Sequence, residues 1–298
     1  MRRPDLFIVG APKCGTTALY SYLRDHPDVF LPAEKELYYF CDDLFSHKPR
    51  RTEQEYLALF ADGTEAMRVG EATPWYLYSQ QAPVRIKEFS PGARIVIALR
   101  DPVSLMYSLH GERVYPGQEL EPDFATVMRT EKKGTRVPAP PEFDLPKGVE
   151  GYRDVARYAP FVKRFLDTFG RDAVHVIIFE DLTEQPALSL RALCRFLGVR
   201  EANLDGFGRV NPHKVVRSRL LTSTLREPPE WLKWVMRRVT RRAWRSRVVE
   251  MLWRFNTARK PRRALDPELR RELGTEFVPA IRELEALLGR DLSRWTPS

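Results

Sequence analysis

Long apolar runs are what this 298-residue chain most clearly lacks. No stretch approaches the roughly eighteen apolar residues of a membrane-spanning helix, which excludes that class of integral membrane protein. Cysteine is scarce: Cys14, Cys41 and Cys194 are too few and too scattered for a disulfide framework or a zinc site. The opening Met1-Arg2-Arg3-Pro4 leads directly into an apolar strand, without the apolar region and cleavage site of a secretory signal. These shortages predict a reduced, cytoplasmic setting. No internal repeat is present, and no carboxylate cluster suits Mg²⁺, so no metal is expected. What remains is ordinary globular material, 43% hydrophobic and 30% charged, enough for a sizeable core.

The stretch that organises this material is Asp5 to Leu23. Leu6 to Val9 is a short, continuous apolar run with the composition of a buried parallel strand. A turn bounded by Gly10 and Gly15 follows, and Leu19, Tyr22 and Leu23 then recur at helical spacing. Strand, glycine-bounded loop and helix start together make an anion cradle, because free loop N–H groups and the positive helix end converge on one spot. A further absence shapes the chemistry. The nucleotide-triphosphate loop places lysine directly after its second glycine, whereas Thr16 stands there and Lys13 lies inside the loop. That shift would cost an ATPase its β/γ-phosphate clamp. The form Pro12-Lys13-Cys14-Gly15-Thr16-Thr17 instead resembles the 5′-phosphosulfate loop of sulfotransferases that use 3′-phosphoadenosine 5′-phosphosulfate (PAPS).

Further along, Val29 to Leu31 reads as a short strand, Thr52-Glu53-Gln54-Glu55 has the capping-box form of a helix running to Phe60, and a strand enters a loop at Val69 to Tyr76. A helix is predicted between Leu77 and Phe89, and Arg94 to Leu99 is the clearest buried strand. Asp101 suits an N-cap and Pro102 a first helical position, so a helix is predicted from Pro102 to about Glu112. Residues 115–150, rich in Pro and Gly, are expected to form a mobile insertion. Helical spacing resumes from Tyr152 to Phe169, with a strand over Ala173 to Phe179 and a helix over Leu188 to Leu197. This alternation predicts one α/β domain over 1–298, a P-loop-like three-layer fold with a central parallel sheet flanked by helices.

Arg100 falls at the carboxyl end of a buried strand, where open α/β sheets bind ligands. Its planar fork suits a phosphate, and Ser108, about two turns along the next helix, can add a hydroxyl. The spacing matches the 3′-phosphate site of the PAPS sulfotransferase family. On that resemblance Lys13, Cys14, Gly15, Thr16, Thr17, Arg100 and Ser108 bind the co-substrate, with Arg217 in a segment closing over the nucleotide. Glu36, just before an aromatic block as in the heparan-type branch and bacterial relatives, is implied as the general base, with Lys13 stabilising the leaving group. Lys35 either stabilises sulfuryl charge or faces solvent, His26 belongs to a turn, and His110 is the second candidate for the base. Gly70 to Tyr76 resembles the family's E-x-[ST]-P-x-Y segment lining the acceptor cleft, and Leu288 to Trp295 resembles the bacterial branch's ending.

The net charge of +9 is local. Residues 217–263 hold fifteen Lys and Arg against three acids; the rest of the chain holds 34 basic and 37 acidic residues. Four of the six tryptophans lie in this segment, which is expected to be helical with one apolar face. Packing of that face on the protein itself is the preferred reading, and peripheral contact with an anionic membrane is the other. The predicted activity is sulfuryl transfer from PAPS to a hydroxyl or amine of a carbohydrate, lipid or small metabolite. A nucleotide kinase with a shifted loop lysine, or a non-catalytic protein that binds membrane or nucleic acid through its basic segment, are the alternatives. No nucleic-acid partner is expected of the enzyme.

Overall fold

The computed structural model describes residues 2–44, 50–115, 117–132, 149–202 and 264–297, with the backbone of 214–216 and 257–259. Five strands make one parallel sheet: β1 (Leu6–Gly10), β2 (Val29–Phe30), β3 (Arg68–Ala72), β4 (Arg94–Leu99) and β5 (Val174–Ile178), in the order β2-β3-β1-β4-β5. Every pairing is parallel, with Leu6 opposite Gly70 on one side and Arg94 on the other. β1 is therefore central, and Leu6 to Val9 are completely buried. That explains its unbroken apolar run: a strand covered on both faces has no polar side to show.

Right-handed crossovers leave β1 and β4 in opposite directions, which places α1 (Thr16–Arg24) and the helices α3 (Ala82–Phe89) and α7 (Ala159–Phe169) on opposite faces. α9 (Pro186–Leu197) joins α1 on its face, where Tyr22 Oη lies 3.5 Å from Cys194 Sγ. α3, α7 and the long α10 (Pro267–Leu288) pack in sequence on the other face. The capping box forms at α2 (Glu53–Ala58), with Thr52 Oγ1 accepting from Glu55 N–H and Glu55 from Thr52 N–H.

The helix expected over Tyr152 to Phe169 is instead two, α6 (Tyr152–Ala156) and α7. Pro160 cannot donate within a continuing helix and takes a position in the first turn of a new one. The stretch at 115–150 contains a helix, α5 (Phe124–Lys132), started by Asp123 accepting from Thr126 N–H at 2.9 Å. Between β5 and α9 lies a short α8 (Phe179–Glu184). α4 (Pro102–Val114) starts at Pro102 as expected, with the Asp101 carboxylate accepting from the Val103 and Ser104 N–H groups.

Contacts divide the chain into two compact units. The first, Met1–Leu109, Leu145–Val210 and Asp266–Ser298, holds the sheet. The second is His110–Asp144 with Asn211–Leu265. Within it β6 (Lys214–Val216) and β7 (Thr257–Arg259) pair antiparallel, so residues 257–259 of the basic segment are strand rather than helix; 217–256 and 260–263 lie outside the described residues. Among the described residues no helix is long and apolar enough to cross a membrane.

Candidate active site

Because chain connections leave β1 and β4 in opposite directions, their carboxyl ends mark the switch point of the sheet, the place where open α/β sheets bind ligands. The β1 loop and Arg100 both emerge there. Gly10 and Gly15 are glycines for different reasons. A Cβ on Gly10 would lie 2.5 Å from the Leu77 side chain, which the turn after β3 presses against the strand end. Gly15 holds φ +86° as the residue preceding α1, where a Cβ would also meet Phe179 at 2.9 Å. Among the described residues no side chain caps α1, and its first backbone bond runs from Leu19 N–H to Gly15 O at 3.0 Å. The N–H groups of Thr16 and Thr17 thus belong to the orphan donors of a helix start. No acid occupies the first turn, so nothing in the helix opposes an anion.

Three cations surround this helix start. Lys13 sits in the loop with φ +63°. Arg100 donates to Lys13 O at 3.4 Å and stacks its guanidinium 4.6 Å over the Phe179 ring. Its Nε is buried and has no hydrogen-bond partner among the described residues, a donor that fits an incoming phosphate oxygen. Lys35 does not simply face solvent: Nζ donates to Thr17 Oγ1 at 2.9 Å and lies 3.7 Å from Glu36 Oε1. Glu36 is 39% exposed and accepts from Tyr38 Oη at 2.7 Å. Among the described residues the non-glycines with left-handed φ are Lys13, Glu36 and Tyr38. Such conformations persist only where the surroundings over-determine them, and they cluster at functional sites.

Ser108 lies half-buried about two turns into α4. Cys14 is buried, its Sγ facing Pro12 O at 3.4 Å, and burial pushes its thiol up to about 12. It is an inert loop residue despite standing beside a helix start, where exposed thiols ionise readily. His110 is 1% exposed, with Nε2 2.9 Å from Glu121 O and its ring 5.4 Å from that of Phe124. A buried ring engaged in this way is ill suited to take a substrate proton. His26 holds a turn as expected: Nδ1 accepts from Asp28 N–H, and Nε2 is 2.8 Å from Arg200 O. Arg217 lies outside the described residues.

Glu71 departs from expectation. Rather than lining a cleft it is 1% exposed, accepting from Tyr56 Oη at 2.6 Å, Thr73 Oγ1 at 2.8 Å and Tyr76 Oη at 3.1 Å. Burial raises its carboxyl to about 7 against the pull of those hydroxyls. The support of the Arg100 turn was equally invisible in the sequence. Tyr158 Oη donates to Arg100 O at 2.9 Å from the break before α7. Arg270 Nη2 donates to Asp101 at 2.9 Å, and Glu180 accepts from both Asp101 N–H and Trp295 Nε1 at 3.2 Å. These partners are 58 to 169 residues apart in the chain, and no local pattern announces such pairs.

A parallel α/β protein that gathers open helix-start donors and three cations at the switch point of its sheet is built to hold a polyanionic ligand beside a carboxylate. Comparison with known proteins narrows this class. Residues 3–206 match the model of the sulfotransferase domain, and the chain belongs to that family. It is 30% identical to a crystallised sulfotransferase from Alicyclobacillus acidocaldarius, covering 99% of each chain at a TM-score of 0.70. It is also 26% identical over 202 residues to mouse heparan sulfate glucosamine 3-O-sulfotransferase 3A1, covering 68% of this chain and 47% of that one. Mouse bifunctional heparan sulfate N-deacetylase/N-sulfotransferase 4 is 28% identical over 206 residues, 66% of this chain and 22% of that protein. The chain thus spans about half, or less, of the curated relatives it matches.

The raised carboxyl of Glu71 has a consequence for stability. An acid with a folded pKa above its unfolded value keeps its proton longer in the folded state, so stability falls as pH rises from about 4.5 through about 7. Urea titrations across that range should show the wild type losing about 1–3 kcal/mol relative to Glu71→Gln, which cannot ionise. Parallel pH profiles for the two proteins would contradict it.

Proposed function

We propose that this protein transfers a sulfuryl group from PAPS to a hydroxyl or amine, and that Glu36 and Lys13 carry the chemistry. The observation that supports this most is the Lys35 bridge, 2.9 Å from Thr17 in the anion loop and 3.7 Å from Glu36. It ties the phosphate-type cradle to a half-exposed carboxylate in one site. The orphan Nε of Arg100 and the uncapped start of α1 fit a donor bearing phosphates at two ends.

In this reading the loop N–H groups of Cys14, Gly15, Thr16 and Thr17 and the Lys13 ammonium hold the 5′-phosphosulfate. Arg100 and Ser108 hold the 3′-phosphate. The acceptor oxygen or nitrogen forms a bond to sulfur as the bond from sulfur to the bridging phosphate oxygen breaks. Its proton passes to Glu36, and adenosine 3′,5′-bisphosphate leaves. Glu36 suits a base because it is accessible, while the Tyr38 hydroxyl fixes its second oxygen. Lys13 and the oriented N–H groups meet charge as it grows on the leaving phosphate, the kind of preorganised stabilisation that dominates many barriers. The named substrates of the heparan sulfate relatives point to a sugar as acceptor.

Calorimetry with adenosine 3′,5′-bisphosphate tests the cradle. Arg100→Ala should bind it about 10- to 100-fold more weakly, the effect of removing a charged hydrogen-bond partner. Unchanged affinity would remove the 3′-phosphate role, and tighter binding of ATP–Mg²⁺ than of the bisphosphate would favour a kinase. Lys13→Ala, assayed with labelled PAPS and a panel of sugar acceptors, should lose most turnover while its circular dichroism stays native. Near-normal turnover would make the loop purely structural. Glu36→Gln, which keeps shape but takes no proton, should slow transfer roughly 10²- to 10⁴-fold with bisphosphate affinity unchanged. Retained activity would assign the base elsewhere.

A further inference from the structure

Glu36 is the one carboxylate to which the proposed transfer assigns a proton. Glu71 lies at the other extreme, buried at the carboxyl end of β3 under three donated hydroxyls. Two of those donors also support the loop that carries Glu36. The Tyr56 ring stacks on Tyr39 at 4.1 Å and 10°. Tyr76 Oη receives a long 3.4 Å contact from Phe40 N–H, and its ring meets Phe40 edge to face at 5.9 Å. The loop is also tied by Glu36 N–H to Ala72 O at 2.9 Å, the carbonyl next in chain to Glu71, and by Arg51 donating to Leu37 O at 3.1 Å. A loop with left-handed φ at both Glu36 and Tyr38 needs such holding, since each residue would relax without it.

We propose that Glu71 is the positioning residue for Glu36, acting through Tyr56 and Tyr76 to fix the loop that presents Glu36 and Tyr38 to the acceptor. The inference rests on Glu36 being the base. An ionised carboxylate accepts only, and can satisfy all three hydroxyls at once. A protonated carboxyl or an amide can keep both tyrosines on its acceptor oxygen only with its donor end at Thr73, whose hydroxyl must then reverse; in any other orientation the tyrosine hydroxyls lose their acceptor. Tyr56 and Tyr76 share Oε1, so a loss there is passed directly to Tyr39 and Phe40. Glu71 is fully enclosed and needs to touch no substrate for this role.

A double-mutant cycle with Glu36 tests it. Glu71→Gln should lower kcat by about 10- to 100-fold, the range seen when a supporting partner of a reacting group is removed. Affinity for adenosine 3′,5′-bisphosphate should stay within twofold of wild type. In the Glu36→Gln background the same substitution should cost almost nothing more, because residues acting as a unit are strongly non-additive. Tyr76→Phe, a smaller change that cuts one of the two links, should repeat the pattern with a smaller loss and serves if Glu71→Gln does not fold. Full kcat in both variants would overturn the proposal. So would a loss that multiplies undiminished onto Glu36→Gln, or one accompanied by equally weakened bisphosphate binding. Full activity in Glu36→Gln alone would instead overturn the base assignment on which the inference stands.

Discussion

The burial of β1 is the constraint on which the rest of the structure depends. Leu6 to Val9 are wholly enclosed between β3 and β4 and between the two helix layers. A strand so placed leads from its carboxyl end to the switch point where neighbouring connections part. The loop after Gly10 therefore has its location fixed by apolar packing before any polar contact is made. Gly10 and Gly15 follow from this: one lets Leu77 close on the strand end, and the other turns the chain into α1 through a conformation that side chains disfavour.

Packing sets the place, and electrostatics sets what can occupy it. Lys13, Lys35 and Arg100 converge on a helix start that has no acid in its first turn. Acids nearby are occupied elsewhere. Glu180 is committed to Asp101 N–H and Trp295, Asp181 pairs with Arg290 and Arg294, and Asp101 receives Arg270. The C-terminal helix and the turn after it thus clamp the β4–α4 turn from outside, leaving the Arg100 guanidinium held by Phe179 and by one long bond to Lys13 O. An arginine stacked and backed in this way is presented rather than neutralised.

Two carboxylates live in opposite environments. Glu36 is accessible, whereas Glu71 is enclosed, with a carboxyl raised to about 7 by burial. Environment can divide roles between like groups, one suited to exchanging protons with a substrate and the other to holding structure. The proposed division follows that line, and the aromatic packing of Tyr39 and Phe40 on Tyr56 and Tyr76 is the physical link between them.

The local grammar of the chain was sufficient for much of this. Apolar continuity marked β1 and β4, the capping box marked α2, Asp101-Pro102 marked the start of α4, and the glycine spacing marked the anion loop. The family likeness of Lys13, Glu36 and Arg100 was visible because each sits within a short, ordered motif. Sequence misjudged what depends on partners far along the chain. The break before α7 frees Tyr158 to reach Arg100 O, 58 residues away, and Glu71 is turned inward by Tyr56 of α2 together with its neighbours Thr73 and Tyr76. Lys35 is drawn to the loop and not to solvent by Thr17, a contact that the sequence does not display. Backbone propensity and apolar period act over a few residues, so a sequence displays them directly. Which donor meets which acceptor is decided only when the sheet order brings distant segments within hydrogen-bond reach.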